Sequence, residues 1–544
     1  MNPLLLLTVF RMVVIPVQFQ DREMETSPAQ QQALVQQAQD YFNRQFDGSG
    51  TEFNFDLAPA VSLSHDVAWY GANNPERRDV RIGEAVREAC SSLSGSIDFA
   101  AFDGDGDGVV DNVFLLFAGS GEHESGREED IYPQQTSLGA VKSLPLTLSG
   151  KKIERFAAGP EGRPGLFCHE FAHVLGLPDF YDTDGEDSGG LSQALLGTSL
   201  MDEGCRRDPF PEFGAPEYEW LGLGRCDTLA TGAYTLSSFR EGRRYLKAPT
   251  DRKDEFFLFE ARADGLWIWH IDRSDNPAGP SPRHKEGLTA RDRWDYGEVN
   301  NNPDHPCARL IPADPGATDA GGVPFPGTGS GNFGSDTPAA FRFWSGHPSG
   351  LALTGIRPDG QGGVAFEVIE PITLTDLSVF QDAAVVRWKT DPSLEGIRGY
   401  EVSWTDGGRT ERRELSSDAT SCTMERLLPQ TGYVFSVQVR MAGSDRYSVD
   451  GGFVTKVLRK GTYPYIYLSS ATRNVDGTFP AGSKIPLRVF NATEVEEVHW
   501  TLDGETILPE ADGRYTLRRS GTLRARIIHT DGSSESLFKE ITVQ

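Results

Sequence analysis

Cys168-His169-Glu170-Phe171-Ala172-His173-Val174-Leu175-Gly176-Leu177-Pro178-Asp179 is the stretch from which the rest of the chain is read. It contains H-E-x-x-H. On a helix, residues i and i+4 share a face, so His169 and His173 offer both imidazoles to one metal ion. Glu170, one position round, has its carboxylate placed to touch a metal-bound water without ligating the metal. Two neutral nitrogens, a third ligand and an open position are what a catalytic zinc takes. Gly176 is suited to end the helix in a left-handed conformation, and the turned chain then brings Asp179 back as a third ligand. Asp182, Asp184 and His123 compete for that place, but none has a turn residue at a matching offset. With 10 histidines in 544 residues, chance produces this motif on the order of once in a hundred such chains. The metal reading therefore outweighs that of two satisfied core histidines.

Upstream stands Asp103-Gly104-Asp105-Gly106-Asp107-Gly108-Val109-Val110-Asp111. Alternate aspartates, a glycine at the sixth position and an oxygen ligand at the ninth match the first part of a calcium loop. Phe114 occupies position twelve, where a bidentate Glu belongs, so this is no EF-hand and Asp111 must complete the shell with Asp103, Asp105 and Asp107. Residues 112–118 then form a strongly apolar strand, which beside a zinc helix can pair with an extended peptide. Glu122 and His123 follow in a loop where a lone histidine reads as solvated. Downstream, Tyr181 to Asp187 forms an acidic loop, a second cation site at best, and Gly197 to Gly204 contains Met201.

The segments nearer the start read as follows. Residues 11–19 are a buried strand. Ser27-Pro28 opens a helix with Leu34, Val35, Ala38, Tyr41, Phe42 and Phe46 on a 3.6-residue period, closed by Gly48-Ser49-Gly50. Residues 51–57 alternate as a strand, and a second helix runs from about Val80 to Ser92. Met1 to Phe10 is apolar but lacks a basic flank and a small-residue cleavage site, so neither a signal peptide nor a propeptide is expected.

A chain of this length exceeds one core. The formal charge of −27 argues against nucleic acid or an anionic membrane as partner and suits a calcium-binding protein. No run reaches the length of a membrane span. Six scattered cysteines form no C-x-x-C pair and no disulfide framework, and they do not fix the compartment.

Residues 13–21, the loop ending V-V-D-N-V, H-E-F-A-H-V-L-G-L-P-D-F-Y-D and the later L-M-D together resemble the immune inhibitor A family of bacterial zinc metallopeptidases, relatives of the metzincins. The resemblance spans about residues 11 to 369. It implies an α+β metzincin-like catalytic domain, zinc on His169 and His173, Glu170 as catalytic base, Asp179 at the third-ligand position and Met201 as a methionine turn. The family often places Tyr or a similar residue just after Met-Asp. Glu203 stands there instead, so no tyrosine is assigned as oxyanion stabiliser.

Past residue 226, short strands take over, among them residues 255–260 and 265–272. His270, Asp272 and His305 have no ligand spacing and read as packing or loop-anchoring groups. Residues 315–337 read as one long loop. Residues 370–458 resemble a fibronectin type III domain, with Trp388 in its core and Tyr433 as a tyrosine corner. The last segment reads as a small immunoglobulin-like sandwich with a hairpin at Asp531-Gly532.

The expected organisation is a catalytic domain at 1–225, a β-sandwich accessory domain at 226–369, then all-β sandwiches at 370–458 and 459–544. The expected activity is zinc-dependent hydrolysis of peptide bonds in proteins, with calcium as a structural cofactor. By the resemblance the protein is secreted or held at the cell surface. A protein or peptide is then the substrate, with the C-terminal sandwiches available to a surface glycan or host protein. The alternative is an adhesion or glycan-binding protein with a vestigial peptidase domain, and the intact Glu170 opposes it.

Overall fold

The computed structural model describes residues 9–328, 331–456, 464–468 and 473–544. Residues 1–8, most of the apolar start on which the reading of the leader turned, lie outside them. The chain divides into two compact units, one holding residues to Asn332 with Leu353–Val368, the other Phe333–Ala352 with Ile369–Gln544.

The first unit opens with β1 (Val9–Gln18), α1 (Pro28–Gln45), β2 (Glu52–Leu57), β3 (Val61–Ser62), α2 (Val67–Gly71) and α3 (Ile82–Ser92). It continues with β4 (Val113–Phe117), α4 (Glu122–Ser125), β5 (Gln134–Ser137), a hairpin of β6 (Leu146–Leu148) and β7 (Lys151–Ile153), β8 (Arg155–Pro160) and α5 (Pro164–Val174). Ser27 caps α1 in a reciprocal capping box with Gln30, as Ser-Pro at that point predicts. The sheet order is β2-β1-β4-β8-β5 with β3 beside β1. Pairings are parallel except that of β8 with β5.

Parallel strands covered by helices on both faces are buried on both faces, which is why β1 reads as an almost unbroken apolar run. Phe10, Met12 and Val14 point into the core shared with α1 and α5, and Val13, Ile15 and Val17 into the core shared with α3. The strand at 112–118 is β4, and it lies between β1 and β8. Its backbone partners are taken, so the expectation that it receives a peptide strand is corrected. The edge of the sheet on that side is β5.

The segment expected as a separate accessory domain is joined to the first by packing. After α6 (Ala215–Leu221) come β9 (Arg225–Thr228), β10 (Gly232–Leu236), α7 (Phe239–Gly242), β11 (Arg244–Pro249), β12 (Glu255–Arg262), β13 (Gly265–Asp272), α8 (Ala290–Tyr296) and β14 (Ala308–Leu310). Five of these strands form a sheet in the order β14-β13-β12-β11-β9. One cluster of buried side chains runs from Phe10 and Phe171 through Phe180 and Tyr218 to Trp267, Trp294 and Leu310. The core crosses residue 225, where the sequence shows only a change from helices to strands. Between residues 315 and 337 the described residues hold a single 3-10 turn, Ala320–Gly322, and otherwise loop and isolated bridges.

In the second unit, strands at 372–379, 383–390 and 421–425 form one sheet, and those at 397–405, 410–415, 432–441 and 446–454 a second. Trp388, Tyr400, Val402 and Phe435 fill the core of this sandwich. The Tyr433 hydroxyl accepts from the Leu428 amide at 2.9 Å, the tyrosine corner expected there. Further on, the strands Gly521–His529 and Ser534–Ile541 form the hairpin, closed by the His529 amide donating to the Ser533 carbonyl.

Candidate metal centre

Helix α5 places the centre. Pro164 starts it, since the first helical position needs no amide donor. Gly165 lets Cys205 approach, because a Cβ there would stand 2.2 Å from the Cys205 carbonyl oxygen. On the inner side, the Phe171 ring meets Phe42 at 4.7 Å, Phe55 at 4.8 Å and Phe10 at 5.3 Å between centroids. Burying such a side chain contributes roughly 1.5–3 kcal/mol and fixes the helix's rotation. His169, Glu170 and His173 are thereby turned away from the aromatic cluster. The helix ends in a Schellman turn: Leu177 N–H donates to the Ala172 carbonyl, Gly176 N–H to that of His173, and Gly176 has φ +96°. This is the reversal that the position of Gly176 predicts.

The reversal brings Asp179 to the histidines. Its Oδ1 lies 3.2 Å from Nε2 of both His169 and His173, and the two Nε2 atoms are 3.1 Å apart. The other ring nitrogens are committed. His169 Nδ1–H donates to the Leu200 carbonyl at 2.9 Å and His173 Nδ1–H to the Leu177 carbonyl at 2.7 Å. Both Nε2 atoms therefore present lone pairs towards a carboxylate oxygen that is itself buried without a hydrogen bond. Three acceptors at this separation repel unless a positive centre lies among them. A four-coordinate ion with bonds of about 2.0–2.1 Å holds neighbouring donors about 3.3 Å apart, so the residues fit a zinc ion.

The electrostatics agree. Burial alone lowers the affinity of His169 and His173 for a proton, yet the Asp179 carboxylate, joined at His169 by Cys205, overrides it and raises both. Asp179 is pushed up by burial but held well below the usual carboxylate range by the two rings. A cation bound among these three groups would take the place of such a proton. Glu170 is 4 % exposed. Burial lifts its carboxyl to about 6 against the pull of the two histidines.

His169 and Glu170 line a cavity of about 30 Å³ together with Tyr132, Tyr181, His123 and Arg206, room for a water or two. The sequence alone assigns no tyrosine to the site. Tyr181 stands two residues past Asp179 with its ring 6.1 Å from that of His169, and burial beside Asp179 keeps its proton on. An aromatic residue near a ligand loop carries no spacing signal of its own, so only the fold reveals it. His123 is a correction. Its side chain is 5 % exposed, not solvated, and burial lowers it to about 4. Glu203 also lines the cavity and pairs with Arg206 at 2.8 Å.

Met201 is fully buried in the core. Its carbonyl accepts from Phe180 N–H at 2.7 Å, and the preceding carbonyl holds His169. Asp182 is spent on its own loop, accepting from the amides of Asp184, Gly185 and Ser192. His270 and His305 are anchors, as expected, the first on Glu255 at 2.9 Å and the second on Asp272 at 2.8 Å.

In the upstream loop, Asp103, Asp105 and Asp111 bring carboxylate oxygens within 4.8 Å of one another. Asp107 is not one of the three, and its Oδ1 accepts from Val109 N–H. Asp111 is fully buried, and burial with the neighbouring Asp105 and Asp103 pushes it up to about 7. Lys151 Nζ lies 2.5 Å from Asp103 Oδ2, while Oδ1 is buried without a partner. Phe114 packs in the core.

A helix that presents two histidines and a glutamate, with an aspartate returned to them by a glycine turn, defines a metallopeptidase type of centre. Residues 17–206 match the family described as immune inhibitor A peptidase M6, catalytic domain, and residues 371–449 match the fibronectin type III domain. The chain thus carries an immune inhibitor A-type peptidase domain towards its N-terminus, followed by a fibronectin type III domain. It is 32 % identical over 154 residues to pre-pro-metalloprotease PrtV of Vibrio cholerae serotype O1, covering 23 % of this chain and 17 % of that protein. It is 27 % identical over 184 residues to immune inhibitor A of Bacillus thuringiensis subsp. alesti, covering 28 % of this chain and 27 % of that one. The chain thus spans less than a third of the length of either relative. Among solved structures, the fn3 domain of human collagen alpha-1(XX) chain is similar at 26 % identity, covering 17 % of this chain and 83 % of that one with a TM-score of 0.15.

Proposed function

We propose that the protein is a zinc-dependent endopeptidase that hydrolyses peptide bonds in proteins. The observation that carries the reading is the convergence of His169, His173 and Asp179 on one point, with Glu170 beside it on a small cavity. These three side chains would hold zinc, which when bound supplies a Lewis acid for the scissile carbonyl and acidifies water to a pKa of about 7. Glu170 takes the proton from the attacking water and returns it to the leaving amine. Its position near neutrality, set by burial, suits both transfers. Tyr181 keeps its proton and is a donor to the carbonyl oxygen as charge develops there. Strand β5, at the edge of the sheet among the described residues and following Tyr132 on the cavity wall, offers backbone groups to an extended substrate. In this reading residues 1–225 carry the chemistry, 226–369 the accessory strands, and 370–458 and 459–544 the appended sandwiches.

A denatured-proteome peptide library digested by the purified protein tests the activity. New internal termini, abolished by a zinc chelator and restored by zinc, are the expected outcome. Ester or amide hydrolysis without any new peptide terminus would overturn it in favour of a non-peptide hydrolase. From the family likeness we also propose secretion or surface display. Among the described residues no helix is long and apolar enough to cross a membrane.

Calcium at Asp103, Asp105 and Asp111 belongs to the same proposal, supported by the unpartnered Asp103 oxygen and the buried Asp111. Binding to the folded state alone stabilises it by about 2.7 kcal/mol at a concentration one hundred times the dissociation constant, so a rise of a few degrees in Tm is expected. Asp105→Ala should remove most of that rise and leave zinc content unchanged. Identical melting of the wild type in calcium and in a calcium-selective chelator would reduce the loop to a turn.

A further inference from the structure

We infer that Asn300 and Trp220, on segments outside the zinc-binding motif, are positioning residues that set the loop carrying Asp179 and so tune the metal centre. The inference rests on the reading of Asp179 as a metal ligand.

The segment from Gly176 to Thr183 has no regular structure, yet a metal-binding carboxylate tolerates little displacement. Among the described residues, Asp179 Oδ1 has no hydrogen-bond partner that would hold it in place, and its polar neighbours are the two histidine rings themselves. Its position is therefore inherited from the backbone on either side. Phe180, the next residue, is fixed twice. Its N–H donates to the Met201 carbonyl at 2.7 Å, within the segment that also holds His169. Its carbonyl accepts from Asn300 Nδ2 at 2.8 Å.

Asn300 is fully buried and has no freedom left. Nδ2 also donates to the Ala308 carbonyl at 2.7 Å, and Oδ1 accepts from Ala308 N–H at 2.9 Å. Ala308 opens β14, which is paired with β13 at Ile271. The amide is thus a rigid strut between a sheet strand and the residue beside Asp179. Asn301 repeats the device one step on, its Oδ1 accepting from Thr183 N–H at 3.0 Å. At the near end of the loop, Trp220 Nε1–H donates to the Gly176 carbonyl at 2.6 Å. Its ring stacks on Trp294 at 4.9 Å, and Trp294 in turn packs edge-on against Phe180 at 5.8 Å. Both ends of the loop are held from outside the motif.

A group that only knits the fold together would change stability with or without metal and leave the affinity of the folded protein for metal alone. A positioning group changes that affinity, and partners behind metal ligands typically contribute about 10–100-fold to it. The test uses the full-length chain, stripped of metal and titrated with zinc against a chromophoric chelator, with the visible spectrum of the cobalt(II)-loaded protein as a readout of ligand geometry. Asn300→Ala is expected to bind zinc about 10–100-fold more weakly than wild type and to alter the cobalt bands. Trp220→Phe, which keeps the stack but loses the donor to Gly176, is expected to weaken zinc by roughly tenfold with the metal-free melting temperature unchanged. If Asn300→Ala does not fold, Trp220→Phe decides the question. Wild-type zinc affinity in the folded variants, with Asp179→Ala emptied of metal, would overturn the positioning role alone. Wild-type affinity in Asp179→Ala would overturn the ligand reading and this inference with it.

Discussion

Glu170→Gln is expected to retain one zinc per chain and the wild-type fold while losing about 10²–10⁴-fold in kcat/KM, the range of general acid–base catalysis. The substitution is nearly isosteric in a side chain that is 4 % exposed, so packing on α5 is preserved. The metal-facing atoms on His169, His173 and Asp179 belong to other residues and keep their geometry. What disappears is a carboxyl beside the cavity whose proton affinity burial lifts to about 6. An amide neither takes a proton from water nor returns it to an amine. The loss should fall on kcat more than on KM, because Glu170 acts on protons in flight and not on substrate binding. Comparable turnover in the variant and the wild type would remove Glu170 from the mechanism.

Asp179→Ala should empty the centre. Structural zinc in small peptides is bound with roughly 10–16 kcal/mol across four ligands, so one ligand is worth about 2.5–4 kcal/mol, or about 10²–10³-fold in affinity. The two histidines left behind stay oriented by the Leu200 and Leu177 carbonyls, so the fold survives as a two-ligand site. Asp182→Ala is the control. Its carboxylate caps the amides of Asp184, Gly185 and Ser192, and its loss should loosen that loop and leave zinc bound. Zinc per folded chain after dialysis against a weak chelator separates the two variants. An Asp179→Ala protein that stays loaded while Asp182→Ala empties would move the third ligand.

The centre was legible in the sequence because its parts are local. His169 and His173 share a helical face by spacing alone, and Gly176 marks the turn that returns Asp179, six residues past His173. The strands β1 and β4 were legible as apolar runs for a similar reason, since burial on both faces leaves no polar alternation. What stayed hidden was set by partners far away in the chain. Whether β4 is an edge depends on β8 pairing with it, and no residue within β4 records that. His123 looks solvated among Glu, Ser and Gly, yet the fold carries it against the metal cavity. Asn300 is one polar residue in an asparagine-rich loop until the fold brings Phe180, 120 residues earlier, against its amide. Residue 225 reads as a boundary because helices give way to strands there, while the hydrophobic cluster runs through it.

The central claim, that His169, His173 and Asp179 hold a zinc ion on which peptide hydrolysis depends, is tested most directly by one paired measurement. The purified protein is analysed for bound metals and its digestion of casein is followed before chelation, after chelation and after zinc is restored. The account predicts one zinc per chain at this centre, loss of digestion in step with loss of that zinc, and recovery on its return. Casein digestion that continues at full rate in the zinc-free protein would contradict it.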